Sequence, residues 1–173
     1  MSGDLILLSG GMDSAAVAKS VADKAPRALF CDYGQPHLAQ EILAAGRVAK
    51  LLGLELEHVR VQLSGVFSEG VVVPHRNAVL IALAANAGAQ RVWIGCCRAD
   101  YEVFEDCRAE YLSTLGAAIG VEVVAPLLQS TKAEIREMLG EELLGVTWSC
   151  YFPQVGELAC DECPACIARL SDA

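Results

Sequence analysis

The sequence predicts a doubly wound α/β domain, a parallel sheet of about five strands with helices on both faces, followed by a small cysteine-rich C-terminal flap. Three observations carry this expectation. Short apolar runs alternate with segments of helical period at the spacing of βαβ units. The first run ends in a glycine pair, where a sheet of this class gathers its ligands. The last stretch of the chain loses all periodicity and carries four closely spaced cysteines.

Taken in order, "DLILLS" reads as a buried strand and "MDSAAVAKSVADK" as the helix after it. "RALFCDYG" is a second strand ending in a turn. Apolar residues at Leu38, Ile42, Ala45, Val48, Ala49 and Leu52 form a helical stripe that Gly53 stops. "LELEHVRV" is the third strand, "SGVFSEGVVVP" a loop with an extended piece, and "RNAVLIALAANAGAQ" a helix apolar around most of its circumference and so expected to be buried. "RVWIGC" is the fourth strand, Asp106 to Ile119 a helix, and "VEVVAP" the fifth strand, stopped by Pro126. Thr131 and Glu134 form a capping box for a helix expected to end at Gly140. The remainder reads as irregular.

A chain of 173 residues fits one domain, large enough to bury a core without disulfides. Hydrophobic residues make up 54% of it, yet no uninterrupted apolar run approaches the ~18 residues of a membrane span. Met1-Ser2-Gly3-Asp4 offers no basic start and no cleavage site, which argues against a signal peptide. A soluble, cytoplasmic protein is the expectation. The net charge of −9, with no basic cluster, argues against a nucleic-acid partner, so any nucleotide-like ligand should be small and free.

In "SGGMDS", Ser9, Gly10 and Gly11 can turn backbone N–H groups toward an anion, because glycine has no Cβ to block approach or restrict φ. The helix that follows adds its positive end, which makes the junction a phosphate cradle. A dinucleotide fingerprint would need G-x-G-x-x-G, and a Walker A loop would need Lys-Ser/Thr where this chain has Met12-Asp13. The order Ser9, Gly10, Gly11, Met12, Asp13, Ser14 instead resembles the pyrophosphate loop of the N-type ATP pyrophosphatases, which act at the α-phosphate of ATP and release pyrophosphate.

Cys150, Cys160, Cys163 and Cys166 are spaced so that four thiolates can close a tetrahedral zinc site with no open position, a structural metal pinning a flap with little core of its own. A reducing compartment argues against disulfides. An iron–sulfur cluster competes, since C-x2-C-x2-C also occurs in ferredoxin-type runs. Nothing else in the sequence suggests electron transfer, which favours zinc. Cys31, Cys96 and Cys97 read as small buried hydrophobes.

Together and in this order, "SGGMDS", "CDYGQPH", "PHRN", "ADYEVFEDCR", "APL", "TKAEI" and "TWSCY" with the cysteine cluster resemble the 7-cyano-7-deazaguanine synthase family over nearly the whole chain. The resemblance implies an adenine-nucleotide alpha-hydrolase-like fold in one ATP pyrophosphatase domain over 1–173, with 148–173 as its zinc-binding segment. It implies a ligase of queuosine biosynthesis using ATP, magnesium and zinc. Such an enzyme adenylates the carboxylate of 7-carboxy-7-deazaguanine, forms an amide with ammonia, then activates the amide with a second ATP to leave a nitrile. Ser9, Gly10, Gly11, Met12, Asp13 and Ser14 would hold the pyrophosphate, with Asp13, Ser14 and Lys132 serving catalysis. Asp32, Tyr33, Gln35, Arg76 and Asn77 would line the nucleotide pocket. Asp100, Asp106, Cys107 and Arg108 would shape the deazaguanine site. A homodimer is implied by the family alone.

Blander roles compete. Asp32 and Asp106 suit a turn cap and a helix cap, and Lys132 a solvated surface position. His37, His58 and His75 have no ligand spacing, and His58 reads as an exposed strand residue. The chain also departs from the family pattern. His75 stands for the glycine of P-G-R-N, Val103-Phe104-Glu105 for G-Y-P, Gln40 with Glu41 beside it for a Glu, and Asp161 for the glycine of a Cys-Gly pair. The insertion before P-G-R-N is shorter. These changes spare the ATP loop and the cysteines and gather on the acceptor side. Two alternatives follow: a relative that passes the activated carboxyl to a protein amine, and a nucleotide-binding module without catalysis.

Overall fold

The computed structural model describes residues 3–24, 26–63, 73–154 and 158–170. Five strands, β1 (Asp4–Leu7), β2 (Arg27–Asp32), β3 (Leu56–Arg60), β4 (Arg91–Trp93) and β5 (Glu122–Val124), form one sheet in the order β3-β2-β1-β4-β5. Every neighbouring pair is parallel. The chain winds outward from β1 to β3, then crosses back to start β4 on the other side of β1. Residues following β1 therefore stand at the reversal point of the topology, where the carboxyl ends of parallel strands open a crevice.

Alternation along the strands divides the core. Ile6, Leu8, Ala28 and Phe30 face one layer, with the helices α1 (Met12–Val21), α2 (Leu38–Leu52) and α6 (Lys132–Val146). Leu5, Leu7, Leu29, Cys31, Val92 and Ile94 face the other, with α3 (Arg76–Asn86) and α5 (Ala109–Ile119). Each fully buried Leu, Ile or Phe in these layers contributes roughly 1.5–3 kcal/mol relative to exposure. At the sheet edges, cross-strand ion pairs replace burial: Arg27 with Glu57 at 2.8 Å and Arg91 with Glu122 at 2.7 Å. Among the described residues no helix is long and apolar enough to cross a membrane.

The α2 stripe falls where the period places it, with Ala44, Ala45, Val48 and Ala49 buried and Gly53 closing the helix at φ 66°. Other expectations need correction. The helix capped by Thr131 does not end at Gly140; that residue takes φ 70° and ψ 172°, and the helix resumes through Val146. Leu139 and Leu143, on either side of the break, are both buried in the core, and this packing holds the second half in place. Asp106–Ile119 is two pieces, a 3-10 turn at Glu105–Cys107 and then α5, separated by extended Arg108. The helix at Arg76 buries only Asn77, Ile81 and Ala84 fully, because its apolar circumference exceeds the surface that the sheet and α5 offer it. Two helices lay outside the periodic signal, the short α4 (Arg98–Val103) and α7 (Pro164–Leu170) in the cysteine-rich end. The loop expected over "SGVFSEGVVVP" falls largely outside the described residues.

Both departures from family glycines have a conformational signature. His75 (φ 54°) and Asp161 (φ 60°) are the non-glycine residues with positive φ among those described. An L side chain in this region costs roughly 1–2 kcal/mol, less for Asp. His75 is held there by its ring stacked 5.8 Å from Tyr111, whose hydroxyl lies 3.2 Å from His75 Nδ1. Asp161→Gly is accordingly expected to raise the urea midpoint, by up to about 1 kcal/mol in stability, whereas His75→Gly should gain less because it also loses the Tyr111 contact.

Candidate functional site

The glycine-rich turn joins β1 to α1 at the crevice. Gly10 takes φ 85°, and Gly11 caps α1 with no side-chain hydrogen bond to the first helical turn. The first N–H groups of α1 thus face the crevice without a side-chain acceptor at the cap. Ser9 and Ser14 bracket the turn, their hydroxyls 3.1 Å apart. Ser14 donates to Gly11 O at 3.0 Å, and Gly11 N donates to Ser9 Oγ at 3.3 Å. Met12 is buried in the core and anchors the turn from below.

Lys132, first residue of α6, reaches across to this turn. Its Nζ donates to both carboxylate oxygens of Asp13, at 2.8 and 2.7 Å. Burial pushes the Asp13 carboxyl up, against the pull of Lys132 and with the repulsion of Asp100. Burial also works against the charge on Lys132, but the Asp13 carboxylate overrides it and holds the ammonium above its ordinary range. The reading of Lys132 as a solvated surface residue therefore fails: the chain fold carries it into the crevice. Asp100 joins the same group, with ligand atoms of Asp13, Cys97 and Asp100 all within 4.8 Å of one another. Its carboxylate also accepts from Cys97 N at 3.0 Å. Gly95, after β4, makes room for this arrangement, since a Cβ there would lie 2.6 Å from Ser14 N and 2.7 Å from the Asp13 carbonyl carbon.

A second group gathers at the end of β2. Tyr33 is buried, and its hydroxyl accepts from Arg76 Nη1 at 3.2 Å. Arg76 Nε is buried with no partner. Gln35 takes the Tyr33 N–H on its carbonyl oxygen and donates to Glu41 at 2.8 Å, while Glu41 lies 3.2 Å from His37 Nε2. Tyr151 enters from the flap, 5.4 Å from the His37 ring and close enough to Arg76 and Lys132 for both charges to act on its phenol.

Two aspartates also fill the blander roles. Asp32 accepts from Gly34 N at 3.0 Å in a turn and from Arg60 Nε at 2.6 Å, and despite burial these donors hold its carboxyl below the usual range. Asp106 accepts from Asn77 N at 3.0 Å, serving the first turn of α3. The Asn77 amide is itself engaged, donating to Asp106 O at 3.3 Å and to Cys107 Sγ at 3.2 Å. Arg108 is exposed at the start of α5. Asp106, Cys107 and Asn77 therefore form a clamp joining α3 to the turn before α5.

The four flap cysteines converge, with ligand atoms within 4.8 Å of one another. Cys150 Sγ lies 3.5 Å from Cys160 Sγ, and Cys160 Sγ 3.9 Å from Cys166 Sγ. A tetrahedral ion with metal–sulfur bonds of about 2.3 Å sets its sulfurs about 3.8 Å apart, so the donor set fits a single ion such as zinc. Backbone N–H groups of Phe152 and Cys160 point at Cys150 Sγ, that of Cys163 at Cys160 Sγ and that of Cys166 at Cys163 Sγ. Donors of this kind stabilise thiolate. At Cys163 burial opposes the thiolate, yet the Tyr151 and Cys166 N–H groups bring the thiol below its ordinary value. Cys31, Cys96 and Cys97 are buried, as small apolar side chains would be.

Beyond the residues singled out in the sequence, the structure brings Gly95 and Tyr151 to the site and gives Glu41 and His37 bonding roles there. An isolated glycine in a strand pattern signals close backbone approach, which could have found Gly95. Tyr151 lies in "TWSCY", where the neighbouring cysteine carries the stronger signal. His37 carries no periodic or spacing signal at all.

The model of the family described as "Queuosine biosynthesis protein QueC" matches residues 4–71 and 67–172. The 7-cyano-7-deazaguanine synthase of Thermoplasma acidophilum is 33% identical over 208 aligned positions, covering 96% of this chain and 85% of its own. That of a Synechococcus species is 37% identical, covering 95% and 89%. The alignment to the Thermoplasma protein, at 208 positions, exceeds the 173 residues of this chain, so that relative carries residues without a counterpart here. Among solved structures, a predicted subunit of tRNA methyltransferase from Methanocaldococcus jannaschii superimposes with TM-score 0.56 at 15% identity, over 78% of this chain and 72% of its own. NMN synthetase from Francisella tularensis gives 0.53 at 17%, over 80% and 60%. At such identities these two structures speak for the fold alone. The family match and the relatives, spanning nearly the whole chain, place this protein in the QueC family, that of the 7-cyano-7-deazaguanine synthases.

Proposed function

We propose that the protein is an ATP-dependent carbon–nitrogen ligase of a single ATP pyrophosphatase domain, with 148–173 closing around zinc. In this reading it activates the carboxylate of 7-carboxy-7-deazaguanine as an acyl-adenylate. The observation that carries the reading is the Asp13–Lys132 pair against an uncapped helix start at the reversal point of the sheet. A carboxylate oxygen attacks the α-phosphorus, the bond to the bridging oxygen breaks, and pyrophosphate leaves. Backbone N–H groups at Gly10 and Gly11, with Ser9 and Ser14, hold the leaving pyrophosphate, and Lys132 turns from Asp13 to the charge growing there. Asp13, freed from Lys132, would offer carboxylate oxygens to a Mg²⁺ accompanying ATP, which would supply positive charge against that of the phosphates. Ammonia attacks the acyl carbon and AMP leaves, giving the amide. A second ATP activates the amide oxygen, releasing a second pyrophosphate and one amide proton, and loss of AMP with the other amide proton yields the nitrile.

Arg76 and Tyr33 suit the anionic end of nucleotide or acceptor, since the guanidinium is buried with an unpartnered Nε. Asp32, Gln35 and Asn77 act at one remove, through the turns and clamp they hold. Asp100, Asp106, Cys107 and Arg108 are given to the acceptor side on the family resemblance alone, and Asp100 also lies against Asp13 and Cys97. For the flap, the compact sulfur spacing favours one zinc over a cluster, which would spread its cysteines around several irons.

A second reading passes the activated carboxyl to a protein amine. It is favoured by the residues that the Thermoplasma relative carries and this chain lacks, which leaves less material to enclose a small acceptor. Mass spectrometry of a reaction with Mg·ATP, 7-carboxy-7-deazaguanine and ammonia decides between them. Nitrile with AMP and pyrophosphate is the expected result. AMP without amide or nitrile, with mass added to a protein, would move the assignment to the second reading. No pyrophosphate at all would leave only a binding module.

A further inference from the structure

The flap is tied to the phosphate loop by a continuous chain of bonds. Trp148 N donates to Gly10 O at 2.9 Å, and Trp148 Nε1 donates to Cys150 O at 2.8 Å. The residue that shapes the cradle is therefore bonded to a segment ending in the first metal ligand. From the other side, Arg169 stands one turn beyond Cys166 on α7. Its guanidinium donates to Leu144 O at 2.6 Å, Thr147 Oγ1 at 2.8 Å and Ser149 Oγ at 3.1 Å. Leu144 O also accepts from Thr147 Oγ1 at 2.8 Å. Arg136 on α6 returns the grip, donating to Arg169 O at 2.9 Å.

Arg169 thus fixes residues 147–149 from the helix that carries Cys163 and Cys166, while Cys150 fixes them from the far end. Its guanidinium is held by two hydroxyls and one backbone carbonyl, and the ligand Cys166 stands one turn before it on the same helix. Four thiolates around a divalent ion carry two net negative charges, so loading the site strengthens the hold on Arg169.

We infer that Arg169 and the 147–150 segment are a brace through which the four-cysteine metal centre positions the phosphate loop, so that metal loading and nucleotide affinity are coupled. This rests on the reading of the glycine turn as a nucleotide site and of the flap as a zinc site. Without the metal, Cys150 and α7 are joined by hydrogen bonds alone, and the Trp148–Gly10 bond loses part of its backing. Coupling of this kind is reciprocal: whatever factor zinc contributes to nucleotide affinity, nucleotide must contribute to zinc affinity.

The test is binding of Mg²⁺ with α,β-methylene-ATP, which cannot release pyrophosphate, to the full chain by calorimetry, with zinc per chain measured on the same samples. Removing zinc from the wild type, with circular dichroism showing the sheet intact, is expected to weaken nucleotide binding about tenfold or more. Arg169→Gln is expected to do the same with its zinc still bound, and Arg169→Lys, which keeps the charge but not the fork, to fall between. As a readout that mere structural damage would not move, bound nucleotide should slow zinc transfer to a chelator in the wild type and not in Arg169→Gln. Equal nucleotide affinity in loaded, stripped and Arg169→Gln protein would overturn the coupling while leaving the ATP site standing. A loaded wild type that binds no nucleotide would overturn both.

Discussion

Replacing Lys132 by methionine is expected to lower pyrophosphate release on the order of 10²–10³-fold while leaving the chain folded. The ammonium lies 2.7 and 2.8 Å from the Asp13 oxygens beside the glycine turn, so the variant loses the positioned cation and strands a partly buried carboxylate. That stranded group costs about 1–3 kcal/mol at neutral pH. The sign with pH is fixed by the direction of the Asp13 shift. Burial already raises its pKa in the folded protein, and loss of Lys132 removes the opposing pull. A carboxyl raised on folding binds its proton more readily in the native state, so its penalty disappears as pH falls below the ordinary carboxylate value and grows as pH rises through the folded one. Urea titrations at pH 4 and pH 8 should therefore show the Lys132→Met deficit mainly at the higher pH. Asp13→Asn combined with Lys132→Met should recover most of the stability and none of the activity. Unchanged pyrophosphate release in Lys132→Met would remove Lys132 from the mechanism.

Gly10→Ala is expected to be the more damaging change to the fold, by about 2–4 kcal/mol, and Gly11→Ala the more informative one. At Gly10 a Cβ would stand 2.6 Å from Ala45 N and 2.8 Å from Glu41 O, both backbone atoms of α2, at φ 85°. Neither the loop nor the helix can yield without separating. At Gly11 φ is −74°, and a Cβ would meet only Ser9 Oγ at 3.4 Å and Trp148 O at 3.6 Å. Gly11→Ala should accordingly fold with a nearly unchanged melting temperature, yet bind nucleotide weakly, because the methyl group enters the space that the proposed function gives to the phosphates. Thermal unfolding and calorimetry on the two variants separate the roles. Intact nucleotide binding in Gly11→Ala would mean the cradle lies elsewhere.

Much of this protein was legible in its sequence. Alternating strand and helix periods specify a parallel α/β sheet, because each period commits a segment to one kind of buried face. The glycine turn after the first strand and the spacing of Cys150, Cys160, Cys163 and Cys166 are local in the chain, so their geometry travels with the motif. What the tertiary structure decided lies between segments distant in sequence. The pairing of Lys132 with Asp13, the close passage of Gly95 over Ser14, and the reach of Trp148 to Gly10 depend on how α6, β4 and the flap pack around β1. No local pattern encodes those contacts. The same holds for the continuation of α6 past Gly140 and for the helix at Pro164–Leu170, where packing of Leu143 and closure of the cysteines overrule weak local propensity. Local periodicity specifies which face is buried; only the assembled sheet specifies what each buried face meets.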